Sequence, residues 1–190
     1  MRKHMFVLLA VFAVVVAVHS AQASTATVIH TFCAKKGPKC PAGGTNPIGD
    51  LITDGAGNIY GVTQTGGTGV ACPGGCGVVF QLQPGNANAY TVLYNFQGGT
   101  GDGAYPKAGL VLDPSGTLFG TTSAGGSSSN CTGGCGTVFS VVPGSGRDSI
   151  LHSFTGPGDG ANPTSELLED GLGDLFGTTQ NGGTGVCTGG

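Results

Sequence analysis

The sequence predicts an all-β protein made of tandem four-stranded units, the arrangement of β-propeller blades, and three observations carry that expectation. A 22-residue phrase is written three times, as NPIGDLITDGAGNIYGVTQTGG (Asn46 to Gly67), YPKAGLVLDPSGTLFGTTSAGG (Tyr105 to Gly126) and NPTSELLEDGLGDLFGTTQNGG (Asn162 to Gly183). Pro47, Pro106 and Pro163 mark the copies, so the period is 57 to 59 residues and leaves room for two further strands per copy. Short apolar stretches recur at fixed offsets between turn residues, and no helical periodicity follows Val18. A unit of this size buries its apolar faces only by stacking on its neighbours.

In the middle copy, Ala108 to Asp113 reads as the first strand and Thr117 to Thr122 as the second, joined through Pro114-Ser115-Gly116. The other copies turn at Asp54-Gly55-Ala56-Gly57 and Asp170-Gly171-Leu172-Gly173, where aspartate folds back onto the backbone and glycine takes the positive φ. A Gly/Ser-rich cysteine loop follows, then a third strand, Gly136 to Val142, a Pro143-Gly144 turn and a fourth strand, Ser149 to Phe154. GGTGDGAYP and TGPGDGANP, after Phe96 and Phe154, return the chain as loops to the next first strand. The repeats thus span about 46–104, 105–161 and 162–190 within a repeat region 24–190. A meander of this kind puts the cysteine loops beside the Gly-Asp-Gly-Ala loops on one face and the Asp-Gly and Pro-Gly turns on the other, with each first strand lining a central channel. Recognition is expected on one loop face.

Residues 24–190 supply about 2.5 to 3 blades, whereas a ring takes about four to eight. The chain is therefore expected to be a fragment of a longer protein, with missing blades or self-association covering its open edges. Cys187-Thr-Gly-Gly190 opens a third cysteine loop, for which the next residue would be cysteine.

At the N-terminus, Arg2 and Lys3 precede an apolar run from Met5 to Val18 and a small-residue boundary Ala21-Gln22-Ala23, the layout of a signal peptide spanning 1–23. The run is too short to span a bilayer, so the protein is expected outside the cell or at its surface, the periplasm being the other compartment open to it, with no membrane span after cleavage. Ten acidic residues then face five basic ones, which argues against a nucleic-acid partner. Charged residues are 9% of the chain against about 25% in ordinary domains. The 39 glycines and 10 prolines approach a disordered composition, but the recurring apolar periodicity argues for order.

Cys33, Cys40, Cys72, Cys76, Cys131, Cys135 and Cys187 are disulfide candidates. Cys72-Pro-Gly-Gly-Cys76 and Cys131-Thr-Gly-Gly-Cys135 match, no histidine recurs beside them, and an exported chain oxidises its thiols, so local disulfides outweigh zinc sites. Each is expected to stiffen its loop rather than hold the fold together, and Cys33 with Cys40 to form a similar staple. Asp102 and Asp159 occupy equivalent places in Gly-Asp-Gly-Ala, with Gly43 in the first copy's slot. They are the speculative ligand-face residues, weighed against a turn-forming role, and the loops lack the oxygen donors calcium needs. His30, Tyr94 and His152 share one strand position, which argues for an amphipathic side chain packed at a blade edge.

The phrases Asn58-Ile-Tyr-Gly-Val-Thr, Thr117-Leu-Phe-Gly-Thr-Thr and Asp174-Leu-Phe-Gly-Thr-Thr, followed by Gly-Val-Val-Phe80 or Gly-Thr-Val-Phe139, resemble the GloVer tandem repeats of secreted bacterial proteins over about Thr27 to Gly190. The resemblance implies an exported repeat protein and carries no catalytic residues. No nucleophile elbow, zinc-protease helix or Walker loop occurs. The expected function is a non-enzymatic extracellular or cell-surface binding and scaffold module without cofactor, its partner a polysaccharide or a surface protein. The alternative is a propeller-type enzyme, a lactonase or glycan-cleaving enzyme, with its site at the channel mouth near Asp102 and Asp159.

Overall fold

A computed structural model describes residues 27–33, 43–86 and 89–184. The segment 1–23 expected as a signal peptide, Cys40 and Cys187 lie outside the described residues. Within them the secondary structure is all β, in antiparallel sheets that close no barrel.

The first repeat is an antiparallel meander of β1 (Gly44–Thr53), β2 (Ile59–Gly66), β3 (Val78–Gln83) and β4 (Ala89–Asn95), in that order across the sheet. The second contains β5 (Gly103–Pro106), β6 (Val111–Leu112), β7 (Leu118–Gly125), β8 (Thr137–Val142) and β9 (Arg147–Ser153), ordered β5-β7-β8-β9 with β6 also on β7. In the third, β10 (Ala161–Pro163) pairs with β13 (Thr179–Asn181), and β11 (Leu168–Glu169) with β12 (Leu175–Phe176).

Pairing begins earlier than the sequence suggests. Part of the Gly-Asp-Gly-Ala-Tyr-Pro segment, expected as a loop, is β5, with Gly103 opposite Gly125 and Ala104 opposite Ala124. Of the expected strand 108–113 only Val111–Leu112 pairs. β5 and β6 are thus the two halves of what is one strand, β1, in the first repeat, and β1 itself loses register between Ile48 and Ile52. At the break the neighbouring repeats approach closely. A Cβ on Gly49 would lie 2.5 Å from the Gly109 nitrogen and 2.6 Å from the Ala108 carbonyl carbon, so only glycine fits there.

The aspartate turns form as their residue types dictate. Asp54 Oδ1 accepts from the amides of Ala56 and Asn58 at 2.9 Å each, and Asp113 Oδ1 accepts from the Thr117 amide at 2.7 Å. Asp170 repeats the pattern on Leu172 and Asp174. At the same end of the first sheet, Gln83 Nε2 reaches Asn58 Oδ1 at 3.3 Å, so the Asp-Gly and Pro-Gly turns are neighbours as expected.

The core follows from the third strand. Phe80 in β3 and Phe139 in β8 each lie opposite a glycine of the second strand, Gly61 and Gly120. A Cβ there would come within 2.7 Å of Phe80 Cζ or 2.6 Å of Phe139 Cζ, so the glycine makes room for the ring. Each phenylalanine also meets an aromatic that precedes its own sheet in the chain. Phe32 packs on Phe80 with centroids 5.0 Å apart, and Phe96 on Phe139 at 4.9 Å. Phe80, Phe96 and Phe139 are fully buried. Burying one such side chain stabilises by about 1.5–3 kcal/mol, and an edge-to-face pair adds about 0.5–1.5 kcal/mol. The apolar cluster containing Phe96 and Phe139 spans both repeats, so the core lies between sheets as well as on them.

Candidate functional site

The site on the expected recognition face is built from the cysteine loops. Cys72–Cys76 and Cys131–Cys135 are disulfide-bonded, each with Cα atoms 5.1 Å apart, and Cys33 is disulfide-bonded too. The closed loops are held alike. Gly66 N donates to Gly74 O at 2.9 Å and Gly77 N to Gly66 O at 3.1 Å; in the second repeat Gly125 N donates to Gly133 O at 2.8 Å and Gly136 N to Gly125 O at 3.0 Å. Formed disulfides are what an extracellular or envelope protein carries.

These loops do more than stiffen themselves. The carbonyl of Cys76 accepts the Tyr105 amide at 2.9 Å, and that of Cys135 accepts the Asn162 amide at 2.7 Å. The second cysteine of one repeat is therefore a docking point for the next. The adjoining residues are Gly77 and Gly136, whose Cβ positions fall 2.8 Å from Pro106 Cδ and 2.7 Å from Pro163 Cδ. The X-Pro start of each repeat packs on the Cys-Gly step of the one before. The bonds that join the repeats here come from backbone carbonyls of the cysteines, beside the disulfide rather than through it.

The docking residue pays for its direction in backbone strain. Asn46, Tyr105 and Asn162 have φ of 58°, 56° and 54°. Asparagine tolerates this left-handed region, whereas a bulky aromatic rarely enters it. At Tyr105 the strain is held by the Cys76 bond and by Ser123 Oγ, which donates to the Tyr105 carbonyl at 2.9 Å. Strained non-glycine residues cluster at ligand sites. Nothing in the residue type of a tyrosine announces such a conformation; only its alignment with Asn46 and Asn162 would have revealed it.

Tyr105 lies in a groove of about 490 Å³ between the two cysteine loops. Its polar side chains are Thr100, Ser128, Ser129, Thr132 and Tyr105 itself, and no charged side chain lines it. The lining therefore offers hydroxyls and backbone groups and no ionised side chain. A second groove, of about 240 Å³, repeats the construction one junction later, with Asn162 in place of Tyr105 and Asn181 in place of Ala124.

Of the two aspartates singled out from sequence, neither reaches into these grooves. Asp102 is 7% exposed, and its carboxylate accepts the Gln97 amide at 2.6 Å and its neighbour Gly103's amide at 2.7 Å. Asp159 Oδ2 accepts the Thr155 amide at 2.8 Å and lies 3.1 Å from His152 Nε2. The Thr155 amide bond, aided by His152, holds the Asp159 carboxyl below the usual range in spite of some desolvation. Tyr94 fills the place of His152 in the first repeat. Burial, and then its hydrogen bond to Asp102, raise its phenol well above the ordinary value. Tyr94 with Asp102 and His152 with Asp159 are therefore one brace, closing the turn after the fourth strand in both repeats. A register shift beside Phe80 and Phe139 leaves Leu93 and Leu151 as extra residues and aims the brace side chain. His30 stands at the same position and stacks on Tyr90 with centroids 4.2 Å apart, and burial lowers its pKa. The packed role expected of this position describes His30 and Tyr94, whereas His152 is exposed and takes the Asp159 carboxylate as its partner.

No curated protein and no solved structure matches the chain. The family model described as the Gloeobacter/Verrucomicrobia repeat matches residues 13–189. The repeated Leu-Phe-Gly-Thr-Thr and Gly-x-Val-Phe strands are the same units whose glycine and phenylalanine interlock in the sheets, and the chain belongs to that repeat family.

Proposed function

We propose that the protein is a secreted, non-enzymatic binding and scaffold module that holds a neutral polysaccharide along its cysteine-loop face, its repeats serving as propeller blades. One observation carries this reading: an uncharged groove forms at successive repeat junctions, the larger lined by the hydroxyl residues Thr100, Ser128, Ser129 and Thr132 with Tyr105, the smaller by Asn130, Asn162 and Asn181. A repeating groove matches a repeating ligand. Acid–base chemistry would instead ask for a titratable pair facing the groove, and the nearest carboxylate in sequence, Asp102, is engaged with backbone amides.

Binding to an array of neutral glycans, followed by titration calorimetry on the responding sugar, tests the proposal. Tyr105→Asn is the decisive variant, because asparagine already occupies this conformation at 46 and 162 and so preserves the fold. The expected result is glycan binding that falls at least about thirtyfold in the variant, the scale of losing an anchor residue. Absence of any glycan signal, or binding that ignores the substitution, would overturn it.

A further inference from the structure

The third repeat presents a second, unrelated surface. Leu175 to Thr179 correspond in the repeat to Leu118 to Thr122, which pair along their whole length with β8, from Leu118 opposite Val141 to Thr122 opposite Thr137. In the first repeat Ile59 to Thr63 pair in the same way with β3. In the third, β12 pairs with β11 and β13 with β10, so their other edge is unpaired among the described residues. Beside that edge is a cleft of about 450 Å³ walled by Phe154, Leu167, Leu175, Gly177 and Thr179.

Each wall has a counterpart that shows what fits. Gly120 faces Phe139 Cζ and Leu110 Cδ2, and Gly61 faces Phe80 Cζ and Leu51 Cδ2; Gly177 faces Leu167 Cδ2. Phe154 holds the place from which Phe96 meets Phe139. Thr179 holds the place of Thr122, whose hydroxyl lies 2.7 Å from that of Thr137. At these positions the cleft continues the interface that joins the first two repeats, with His152 and Asp159 also lining it.

We infer that this cleft is the acceptor for the third strand of a repeat, an extended segment of Gly-Thr-Val-Phe type that adds to the edge of Leu175–Thr179 and seats its phenylalanine between Phe154, Leu167 and Gly177. Main-chain bonds to the open edge give affinity, and the aromatic slot gives specificity. The occupant is thus a β-hairpin with the signature of this same repeat, whose threonine meets Thr179 and whose valine two places after the phenylalanine covers Leu175 as Val141 lies opposite Leu118.

A synthetic hairpin with the sequence of residues 136–154 tests this against the full chain, by fluorescence anisotropy and by hydrogen exchange. Saturable binding is expected, with new amide protection over Leu175–Thr179. Phe139→Ala in the peptide should weaken binding at least about thirtyfold, as for a buried aromatic anchor, without touching the chain. Gly177→Val in the chain should do likewise by filling the slot from below, its circular dichroism showing the fold intact. A failure to bind, equal binding by the Phe139→Ala peptide, or protection elsewhere would overturn the inference. So would sedimentation showing that the chain dimerises through this edge and that the peptide does not compete, which would make a second copy the occupant.

Discussion

Gly61, Gly120 and Gly177 are the same position in three repeats, and one methyl group placed at each should have different consequences. At Gly120 the new Cβ falls 2.6 Å from Phe139 Cζ and 3.0 Å from Leu110 Cδ2, and at Gly61 it falls 2.7 Å from both Leu51 Cδ2 and Phe80 Cζ. The rings are about 1% exposed and have nowhere to move, so overpacking costs about 1–3 kcal/mol. Removing glycine from a strand returns roughly 0.5–1 kcal/mol. The net loss for Gly61→Ala or Gly120→Ala is centred on about 1 kcal/mol within a range of about 0–2.5 kcal/mol, a shift of roughly 0.5 M in the urea midpoint for a slope of about 2 kcal/mol/M. At Gly177 the methyl meets only Leu167 Cδ2, at 2.8 Å and at the end of a flexible side chain, so Gly177→Ala should stay within about 0.5 kcal/mol of the parent. With no tryptophan in the chain, far-UV circular dichroism during urea titration is the suitable assay. Equal destabilisation at all three sites would refute the claim that the glycine exists to admit the third-strand ring.

Opening either cysteine loop should be measurable as well: Cys72→Ser with Cys76→Ser removes a five-residue closure worth roughly 2 kcal/mol of unfolded-state entropy, and exchange at the Tyr105 amide should rise because its acceptor is the Cys76 carbonyl. Asp102→Ala leaves the buried Gly103 amide and the part-buried Gln97 amide without their acceptor, which should lower stability by about 1–3 kcal/mol in the same titration. Acid should weaken the turns. The bond from the Asn58 side chain holds the Asp54 carboxyl below its ordinary value against some desolvation; at Asp113 desolvation pushes upward but the bonds from Thr117 and Ser115 outweigh it. Both folded-state pKa values are depressed, so their contribution is present above the unfolded carboxylate value near 3.8 and is lost as pH falls through the folded values. Thermal melts between pH 5 and pH 2 should therefore flatten in the Asp54→Asn/Asp113→Asn variant, and an unchanged slope would count against these bonds.

Much of the fold was legible because its punctuation is local. The Asp54, Asp113 and Asp170 turns needed only the residue types and their spacing, and the third and fourth strands were readable from apolar stretches such as Thr-Val-Phe139 and Ile150-Leu151. The first strand was misplaced, since its pairing half is Gly103-Ala-Tyr-Pro106, a stretch whose glycine and proline argue against a strand unless a partner is known. The adjacency of cysteine loops and return loops followed from the meander alone, and Gly98 confirms it by facing the sulfurs of Cys76 and Cys72 at 2.8 and 3.0 Å from its Cβ position. The groove itself was hidden, because its chemistry comes from hydroxyls and a strained backbone at Tyr105 rather than from the charged residues a sequence scan seeks. The aspartates drew attention for their charge and turn out to face the backbone.

The interdependence of the repeats is tested most directly by native-state hydrogen exchange on Phe96→Ala. Phe96 belongs to the first repeat, is fully buried and meets Phe139 of the second at 4.9 Å. If the repeats share one core, the variant should lower the opening free energy of β3 and β8 amides together, by about 3–5 kcal/mol for a buried phenylalanine. Loss confined to β3, with β8 exchanging as in the parent, would show two self-sufficient units.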